Sequence, residues 1–363
     1  MKVLHLISAR YVFGAERIVL SLVKRLSLLG ISSYLGIIDS FNEENSVLKQ
    51  ARSSGLEVMP LVSKSAFDFS CVNEVRGFAL KNDITIIHSH NYKSNFIAML
   101  SSPSGCKWVV TEHTWAAKDI KSFVYEGIDK RIILLADKVV GVSENLLDDF
   151  RRAFLPKKKQ ALIYNGIDLE NISPFNCEEK SSVTLGFIGR FSREKNVLFL
   201  VDVFERLRKQ VSFPVYLKIA GKGALEPAIR SEISKKGLWD FVDFRGFVLP
   251  EDVSNFYASV DGICLCSEKE GLPMVVLEAL AYGRPVIGSF QAVRALRDKN
   301  TAVARQCDIK NLNIAADQFG SFVRDIYENG QELSIHCRQL AEAYFSGKVM
   351  AENYASLYRE IAL

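Results

Sequence analysis

Short apolar runs alternate with helical patterns along most of the chain. In the first half, five runs of strand-like length occupy residues 3–8, 33–38, 84–88, 108–111 and 138–142. Between the first two runs, residues 15–29 place Ile18, Leu22 and Leu26 at a helical period. A strand, a turn and a helix form the first part of a βαβ unit. Repetition of this unit predicts a parallel sheet that is covered on both faces.

The same alternation begins again after a polar linker, which we place at Ser173, Pro174 and residues 176–182. Strand-like runs then occupy residues 184–188, 215–220, 242–244, 262–266 and 285–288, and helical patterns occupy residues 197–209, 225–236, 253–259 and 273–282. We therefore expect two doubly wound α/β domains, at residues 1–172 and 181–345. A final helical pattern at residues 348–361 predicts that the segment 346–363 packs back on the first domain.

Length, charge and cysteine usage agree with this organisation. A chain of 363 residues has room for two domains, and no apolar run approaches the roughly 18 residues of a membrane span. The net charge of +4 is too small to indicate a nucleic-acid partner. The seven cysteines include no C-x-x-C pair, which favours a reducing, cytoplasmic location.

The segment E-G-L-P-M-V-V-L-E at residues 270–278 carries the most specific chemical signal. It follows an apolar strand and begins a helix, with Pro273 in the first turn, where a missing N–H costs nothing. Gly271 allows a ligand to approach the backbone, and the helix start offers N–H groups to a phosphate. Glu270 and Glu278 then accept hydrogen bonds from different parts of one elongated ligand. The alternative is an ordinary strand–loop–helix with solvated glutamates.

A second loop, G-R-F-S-R-E-K-N at residues 189–196, collects cations at the end of another strand. Arg190 and Lys195 fall between that strand and the next helix. Two cations at the carboxyl end of a strand suit a diphosphate, and they neutralise a departing diphosphate without a metal ion. A solvated run of surface charge is the alternative.

Weaker candidates lie in the first half of the chain. The turn at Phe13 and Gly14 lacks the full G-x-G-x-x-G fingerprint, so Gly14 is either a ligand contact or part of a plain tight turn. His113 follows one strand, and His88 and His90 end another, although single histidines are more often structural. Neither an H-E-x-x-H pattern nor a D-x-D pair near a strand end is present, so no metal site is predicted.

Taken together, these segments resemble glycosyltransferase family 4, a family of retaining enzymes with the GT-B fold, over nearly the whole chain. Glu270 and Glu278 are similar to the family's E-x7-E motif, and residues 189–196 resemble its phosphate loop. Other similar segments are N-G-I-D at residues 165–168, F-R-G-F-V at 244–248, V-S-E at 142–144, and Tyr354 with Leu357 and Tyr358. The resemblance implies two Rossmann-like domains that face a central cleft. The first is then the acceptor side, and the second binds the nucleotide-sugar.

The resemblance also implies roles for individual residues. Glu270 would contact the transferred sugar, Glu278 the ribose, and Arg190 with Lys195 the diphosphate, while His113 would face the donor sugar. The remaining donor-binding positions are Gly14, Gly189, Gly246, Phe247, Gly271, Leu272, Pro273 and Met274. Two segments depart from the family pattern. Phe13 stands where the family has the first glycine of G-G-x-E, and Ser289 with Phe290 replaces a glycine pair.

The activity implied is retaining transfer of a sugar from a nucleotide-diphosphate sugar, with no cofactor, in the synthesis of cell-envelope polysaccharide, lipopolysaccharide or glycolipid. UDP is the nucleotide favoured by analogy. A GT-B nucleotide-sugar 2-epimerase and a catalytically silent binding subunit of the same fold are the alternatives. The sequence does not specify the transferred sugar, the linkage, the acceptor or the oligomeric state.

The expected acceptor is a glycan or a lipid-linked molecule. Cations in the first domain alternate with apolar side chains: Arg151, Arg152, Lys157, Lys158 and Lys159 with Leu146, Leu147, Phe150 and Phe154. A basic amphipathic face of this kind favours peripheral contact with an anionic membrane, here its cytoplasmic face. A solvated loop between a helix and a strand is the alternative.

Overall fold

The computed structural model describes residues 1–39, 45–63, 69–113, 120–174 and 181–362, without the side chains of residues 120–122 and 250. The chain divides into two compact units. Unit 1 consists of Met1–Asp168 with Ser346–Leu363, and unit 2 consists of Leu169–Phe345. The linker predicted at residues 176–182 falls mostly outside the described residues.

Within the described part of the chain, a seven-stranded parallel sheet forms the centre of unit 1. Its strands are β1 Lys2–Ser8, β2 Ser32–Asp39, β3 Glu57–Val62, β4 Ile86–Ser89, β5 Lys107–Glu112, β6 Lys138–Gly141 and β7 Gln160–Leu162. They lie in the order β3-β2-β1-β4-β5-β6-β7. Val3, Leu4 and Leu6 of β1 are fully buried, as expected for a central strand that is covered on both faces.

Helices cover both faces of this sheet. They are α1 Gly14–Leu28, α2 Ser46–Ser53, α3 Phe69–Lys81, α4 Tyr92–Ser101, α5 Ile120–Ile132 and α6 Glu144–Arg152. On one face, Val19 and Val23 of α1 pack with Ile7 and Leu35 of the sheet. On the other face, apolar residues of α3, α4 and α6 pack against alternate side chains of the same strands. Apolar residues recur at a period of 3.6 in these helices because one side of each helix packs on the sheet. The strands are buried because helices pack on both faces of the sheet.

The apolar positions of α6 require a correction to the membrane interpretation. Leu146 and Phe150 are buried in the core, and Leu147 packs against it. Of the four apolar side chains in that pattern, Phe154 alone, after the end of α6, is exposed. The helix therefore presents its apolar face to the sheet, and the predicted amphipathic membrane face is wrong as a description of α6.

Unit 2 repeats the architecture with six parallel strands in its described residues. They are β8 Val183–Ile188, β9 Val215–Ala220, β10 Val242–Gly246, β11 Gly262–Leu265, β12 Val286–Gly288 and β13 Ala304–Gln306. Their order is β10-β9-β8-β11-β12-β13. In unit 1, β1 lies between β2 and β4, and in unit 2, β8 lies between β9 and β11. The chain connections therefore run in opposite directions on the two sides of the first strand of each unit. Ligands of such sheets bind at this switch point, beyond the carboxyl ends of the strands.

In the described part of unit 2, the α-helices are α7 Val197–Leu207, α8 Glu226–Lys235, α9 Val253–Ala258, α10 Met274–Ala281, α11 Phe290–Arg297 and α12 Leu312–Tyr344. The long α12 contains a kink at Asn329, where the backbone leaves helical geometry. None of the described helices combines the length and the apolar character that crossing a bilayer requires.

The last helix, α13 Gly347–Ala362, packs against α1 of unit 1, so the C-terminal segment returns to the first unit as predicted. Buried hydrogen bonds hold it there. The Tyr358 hydroxyl lies 2.6 Å from His88 Nδ1, and the Tyr354 hydroxyl lies 2.8 Å from Thr111 Oγ1. His88 Nε2 in turn lies 2.7 Å from Thr111 Oγ1. This continuous polar chain joins α13 to β4 and β5.

The N-G-I-D segment at residues 165–168 holds the start of α13 in place. Asp168 Oδ1 accepts hydrogen bonds from Arg25 Nε at 2.5 Å and from the Ser21 hydroxyl at 2.8 Å. The Gly347 N–H donates to the Ile167 carbonyl at 2.8 Å. A Cβ on Gly166 would lie only 2.4 Å from the carbonyl oxygen of Ser346, so the close approach of the two backbones requires glycine there.

Replacing Tyr358 with phenylalanine should destabilise unit 1 by about 1–2 kcal/mol, because a nitrogen of buried His88 loses its hydrogen-bond partner. Urea unfolding, followed by a signal from unit 1, measures the change. Tyr11→Phe is the matched control, since the Tyr11 side chain is exposed and should change stability little. Equal stability of the two variants would contradict the role assigned to the Tyr358 hydroxyl.

Candidate functional site

The two charged loops of unit 2 meet at the carboxyl ends of β8 and β11. Lys195 Nζ lies 2.5 Å from Glu270 Oε1, and the two side chains are 19% and 10% exposed. A backbone hydrogen bond of 2.8 Å, from the Glu268 N–H to the Glu194 carbonyl, also joins the loops. Lys195 ends a short 3-10 turn, and Asn196 follows in a left-handed conformation that starts α7. The structure thus brings together two residues that the sequence analysis selected from separate motifs.

Arg190 lies in the same loop but extends towards solvent. Its side chain is 65% exposed, and the carboxylate of Glu194 lies 3.9 Å from its guanidinium group. An exposed ion pair at this distance contributes little to stability. Arg190 can therefore turn towards an anionic ligand at small energetic cost.

Helix α10 begins directly after the second loop, with Pro273 as its N-cap residue and no side chain capping it. Leu272 and Pro273 are buried, and Met274 is the first residue of the helix. The N–H groups of an uncapped helix start point along the axis and favour an anion. Gly271 precedes this turn at the edge of the sheet. All four of these predicted positions therefore lie in the segment that joins β11 to α10.

Glu278, in the second turn of α10, is oriented by a tyrosine that the sequence analysis did not identify. The Tyr257 hydroxyl donates to Glu278 Oε2 at 2.9 Å, and its ring stacks on Tyr282 at a centroid distance of 5.0 Å. Burial and the charge of Glu278 raise the pKa of Tyr257 well above its usual value, so the hydroxyl remains a donor. Buried Arg284 donates from Nε to the Tyr257 carbonyl at 3.0 Å. In the sequence, Tyr257 looks like one more apolar helix position.

Glycines allow the ends of β8, β9 and β10 to approach one another. A Cβ on Gly221 would lie 1.8 Å from the Gly189 carbonyl oxygen, so no other residue fits. The Gly221 N–H donates to the Gly246 carbonyl at 2.6 Å, and Gly246 has a φ of 68°. Phe247 follows with its ring 58% exposed, and Lys222 Nζ lies 4.4 Å from the ring centroid. The predicted Gly189, Gly246 and Phe247 therefore lie at this edge, and Gly221 was missed.

Two buried serine hydroxyls lie in the same two loops. Ser192 Oγ and Ser267 Oγ have no hydrogen-bond partner among the described residues. Ser192 follows β8, and Ser267 follows β11, where its carbonyl accepts a hydrogen bond of 2.6 Å from the Ser289 hydroxyl. A buried hydroxyl without a partner costs about 1–3 kcal/mol, so both are candidates for contact with a bound ligand. Single serines carry no sequence pattern, which is why they were missed.

Unit 1 carries a cluster of buried histidines near the carboxyl ends of β1, β4 and β5. His5 pairs in register with His88, and His90 lies on the same face two residues later. His5 Nδ1 lies 3.1 Å from His90 Nε2, and the rings of His90 and His113 stack at a centroid distance of 5.9 Å. Burial lowers the pKa of His5 to about 3 and that of His113 to about 4, and it also lowers the pKa of His88 and of His90. All four rings are therefore neutral at pH 7.

This cluster has some features of a metal site, but its hydrogen bonds argue against that interpretation. One nitrogen each from His5, His88 and His90 lies within 4.8 Å of the others. However, both nitrogens of His88 are already engaged, at 2.6 and 2.7 Å, with Tyr358 and Thr111. Coordination by His88 would break one of these short bonds in a fully buried site. The arrangement therefore fits a hydrogen-bonded core better than a metal centre.

His113 differs from the other three histidines because neither of its ring nitrogens has a partner among the described residues. The neighbouring Glu112 belongs to a separate buried group. The Asn95 amide donates to Glu112 at 2.9 Å and to Asp129 at 2.8 Å. Burial and the adjacent Asp129 raise the pKa of Glu112 well above its usual value. Glu112 thus holds the end of β5 in place, and His113 stays a candidate for contact with a ligand.

The structure places Gly14 as the first residue of α1. Glu16 Oε2 accepts a hydrogen bond of 2.9 Å from the Phe13 N–H, and the Phe13 side chain is exposed. The local carboxylate therefore already uses one of the amide donors of this turn.

Comparison with known families agrees with the two-unit architecture. Residues 12–171 match the family described as Glycosyltransferase Family 4, and residues 182–319 match the family described as Glycosyl transferases group 1. The chain is 28% identical over 308 residues to the capsular polysaccharide biosynthesis glycosyltransferase CapH of Staphylococcus aureus, covering 80% of this chain and 81% of that protein. It is 22% identical to the O-antigen biosynthesis glycosyltransferase WclY of Escherichia coli, with 99% of both chains covered.

Solved structures support the fold. The crystal structure of HepE from Anabaena in complex with UDP matches with a TM-score of 0.82 and 16% identity, over 99% of this chain and 100% of that chain. Sucrose-phosphate synthase from Thermosynechococcus elongatus matches with a TM-score of 0.75 and 19% identity, over 99% of both chains. The predicted GT-B fold is therefore confirmed.

The buried histidines should make unit 1 sensitive to acid. Their pKa values are lower in the folded than in the unfolded chain, so the stability they contribute is present above about pH 6.5 and is lost as pH falls. At about pH 5, keeping His5 and His113 neutral costs about 2 kcal/mol each, and His88 and His90 act in the same direction. The raised pKa of Glu112 acts in the opposite direction, because folded Glu112 binds a proton that the unfolded chain releases. Urea unfolding of unit 1 at pH 7 and at about pH 5 tests this. His5→Asn should reduce the pH dependence of the unfolding free energy by about one proton. Equal stability of the wild type at both pH values would contradict the burial of neutral histidines in unit 1.

Proposed function

Because the chain belongs to glycosyltransferase family 4, we propose that it is a retaining, metal-independent enzyme that uses a nucleotide-diphosphate sugar, with UDP as the first candidate nucleotide. The observation that carries the proposal is the contact of Lys195 with Glu270 beside the start of α10. A cation, a carboxylate and an uncapped helix start then lie together at the switch point of the unit 2 sheet. Those are the groups that a sugar joined to a diphosphate requires.

The diphosphate is assigned to the cations and the backbone. Lys195 and Arg190 neutralise its charge, and the first N–H groups of α10 contact its oxygens. The partnerless hydroxyls of Ser192 and Ser267 supply further donors at the same two strand ends. These groups stabilise the charge that develops on the leaving diphosphate, which is the largest electrostatic requirement of the reaction. No metal ion is needed for that step.

The two glutamates are assigned to hydroxyl groups. Glu270 accepts hydrogen bonds from the transferred sugar, and its contact with Lys195 keeps it beside the phosphate position. Glu278 accepts from the ribose, with Tyr257 holding Oε2 in place. Gly246 and Phe247 lie beside the base. His113 contacts the transferred sugar through one of its partnerless ring nitrogens.

In a retaining transfer of this type, the acceptor hydroxyl attacks the face of the sugar from which the diphosphate departs. The bond from the anomeric carbon to the phosphate oxygen breaks as the new glycosidic bond forms. The departing phosphate oxygen takes the proton of the acceptor hydroxyl. The protein therefore contributes orientation and charge stabilisation, without a side-chain nucleophile.

The acceptor is assigned to unit 1 and is a glycan or a lipid-linked glycan of the cell envelope. The relatives named for capsular polysaccharide and O-antigen synthesis support this class. So does a Campylobacter jejuni relative, whose name describes an undecaprenol-linked acceptor, at 32% identity over 126 residues. The carboxyl edge of the unit 1 sheet exposes aromatic rings at Tyr11, Phe13 and Tyr92, and such rings can stack on sugars.

Donor binding is tested by thermal shift with UDP-, GDP-, ADP- and dTDP-sugars in the presence of EDTA. A ligand at about 100 times its dissociation constant should stabilise the protein by about 2.7 kcal/mol. We expect one nucleotide to raise the melting temperature and Glu278→Gln to reduce that rise. No shift with any donor would favour a silent subunit, and release of free sugar without an acceptor would favour an epimerase.

Arg190→Ala provides the cleanest test of the leaving-group assignment. Because Arg190 is exposed, the variant should keep its melting temperature, while transfer should slow by a factor of about 100. Arg193→Ala is the matched control, since Arg193 is also exposed in the same loop. Both rates are measured with saturating donor and a soluble acceptor. Near-normal transfer by folded Arg190→Ala would exclude the assigned role.

A further inference from the structure

Six helices in the described part of the chain end with the same hydrogen-bonding pattern. One residue beyond the cap adopts a left-handed conformation, and the N–H of the next residue donates to the carbonyl five positions earlier. The left-handed position is occupied by Gly30, Gly55, Asp83, Phe154, Gly237 and Gly283. Glycine is the usual residue there, and aspartate tolerates the conformation. Phenylalanine is the exception.

Phe154 follows α6 with a φ of 60°. Its N–H donates to the Arg151 carbonyl at 3.1 Å, and the Leu155 N–H donates to the Phe150 carbonyl at 3.0 Å, so the helix end itself is regular. A bulky aromatic residue is disfavoured in this conformation. Its side chain gains no packing in return, because it is 88% exposed. Local backbone strain that the fold does not require is often a sign of function.

The surroundings of Phe154 are strongly basic. The side chains of Arg151 and Arg152 are 63% and 78% exposed, and Lys157 and Lys158 are also exposed. Neither lysine pairs with a carboxylate of the described residues. The carboxylates of Asp148 and Asp149 pair with the two arginines at 2.6 and 2.9 Å, so cations still outnumber carboxylates around the loop. We call residues 153–158 the Phe154 loop.

A second exposed apolar side chain lies near this loop. Lys159 Nζ donates to the Leu134 carbonyl at 2.8 Å, which brings the short 3-10 turn before β6 next to the loop. Leu135 of that turn is 68% exposed. Both segments precede strands of the unit 1 sheet, so they lie at its amino edge. The predicted contact through His113 lies at the carboxyl edge.

We propose that the Phe154 loop binds the surface of a bilayer that contains anionic lipids. The apolar Phe154 ring inserts at the boundary between the headgroups and the acyl chains, and the surrounding arginines and lysines contact lipid phosphates. Charge complementarity selects anionic lipid over neutral lipid. The anchor is a single aromatic wedge with a cationic rim, in place of the amphipathic helix face that the sequence suggested. It is independent of the transfer reaction proposed above.

The decisive variant is Phe154→Gly, because it separates folding from membrane binding. Glycine relieves the left-handed backbone, and this gain balances or exceeds the cost of a more flexible unfolded chain, so the melting temperature should not fall. Binding of the full chain to vesicles of phosphatidylcholine mixed with phosphatidylglycerol, measured by co-sedimentation, should weaken about tenfold. The control is Leu28→Ser, which changes another exposed apolar side chain, at the last residue of α1. That control should bind like the wild type.

The charge requirement is tested with Lys157→Gln combined with Lys158→Gln. Each cation near an anionic surface raises the affinity for it about fivefold, so the double variant should bind the vesicles about 25-fold more weakly than the wild type. Added salt should reduce the difference between the two proteins. Turnover with a soluble acceptor should stay unchanged in all of these variants. The proposal would be overturned if the wild-type protein did not co-sediment with anionic vesicles, or if the Phe154→Gly variant bound them as tightly as the wild type. Binding to heparin but not to vesicles would also overturn it, in favour of an acidic polymer.

Discussion

The candidate site depends on the parallel pairing of β8 with β11. Because both strands run in the same direction, the loops that follow them leave the same edge of the sheet. Lys195 and Glu270 are 75 residues apart in the chain, yet their side chains meet at 2.5 Å. The glycines that let β8, β9 and β10 end close together, and the start of α10, belong to the same edge. Loss of that pairing would separate the cations of the first loop from Glu270 and the start of α10.

Unit 1 uses the same sheet topology for a different purpose. The register of β1 and β4 places His5 beside His88, and burial keeps both rings neutral. Tyr354 and Tyr358 of α13 then complete a buried polar chain with His88 and Thr111. The C-terminal helix therefore belongs to the packing of unit 1, although about half of the chain separates it from the rest of that unit. The same burial makes the unit acid-sensitive, which links its stability to its packing.

Much of the fold was predictable because the central strands are long, apolar and regularly spaced. The predicted runs at residues 3–8, 33–38, 184–188 and 215–220 all correspond to strands of the structure. Strands β3, β7 and β13 were missed, and each is an edge strand of its sheet, where burial is incomplete and the apolar pattern weakens. The charged and glycine-containing loops of the site were visible because they interrupt apolar runs. Tyr257, Ser192 and Ser267 were not, since their local sequence resembles ordinary helix and loop.

The sequence by itself determined the alternation of strands and helices, the two-unit organisation and the charged motifs at strand ends, because periodicity, glycine positions and charge are local properties of the chain. Only the tertiary structure decided which of those groups meet. In that structure, the apolar face of α6 is buried in the core, Phe154 is exposed with a left-handed backbone, and the Tyr257 hydroxyl donates a hydrogen bond to Glu278. Contacts of this kind depend on strand order and register, which join residues far apart in the chain, and no local pattern encodes them.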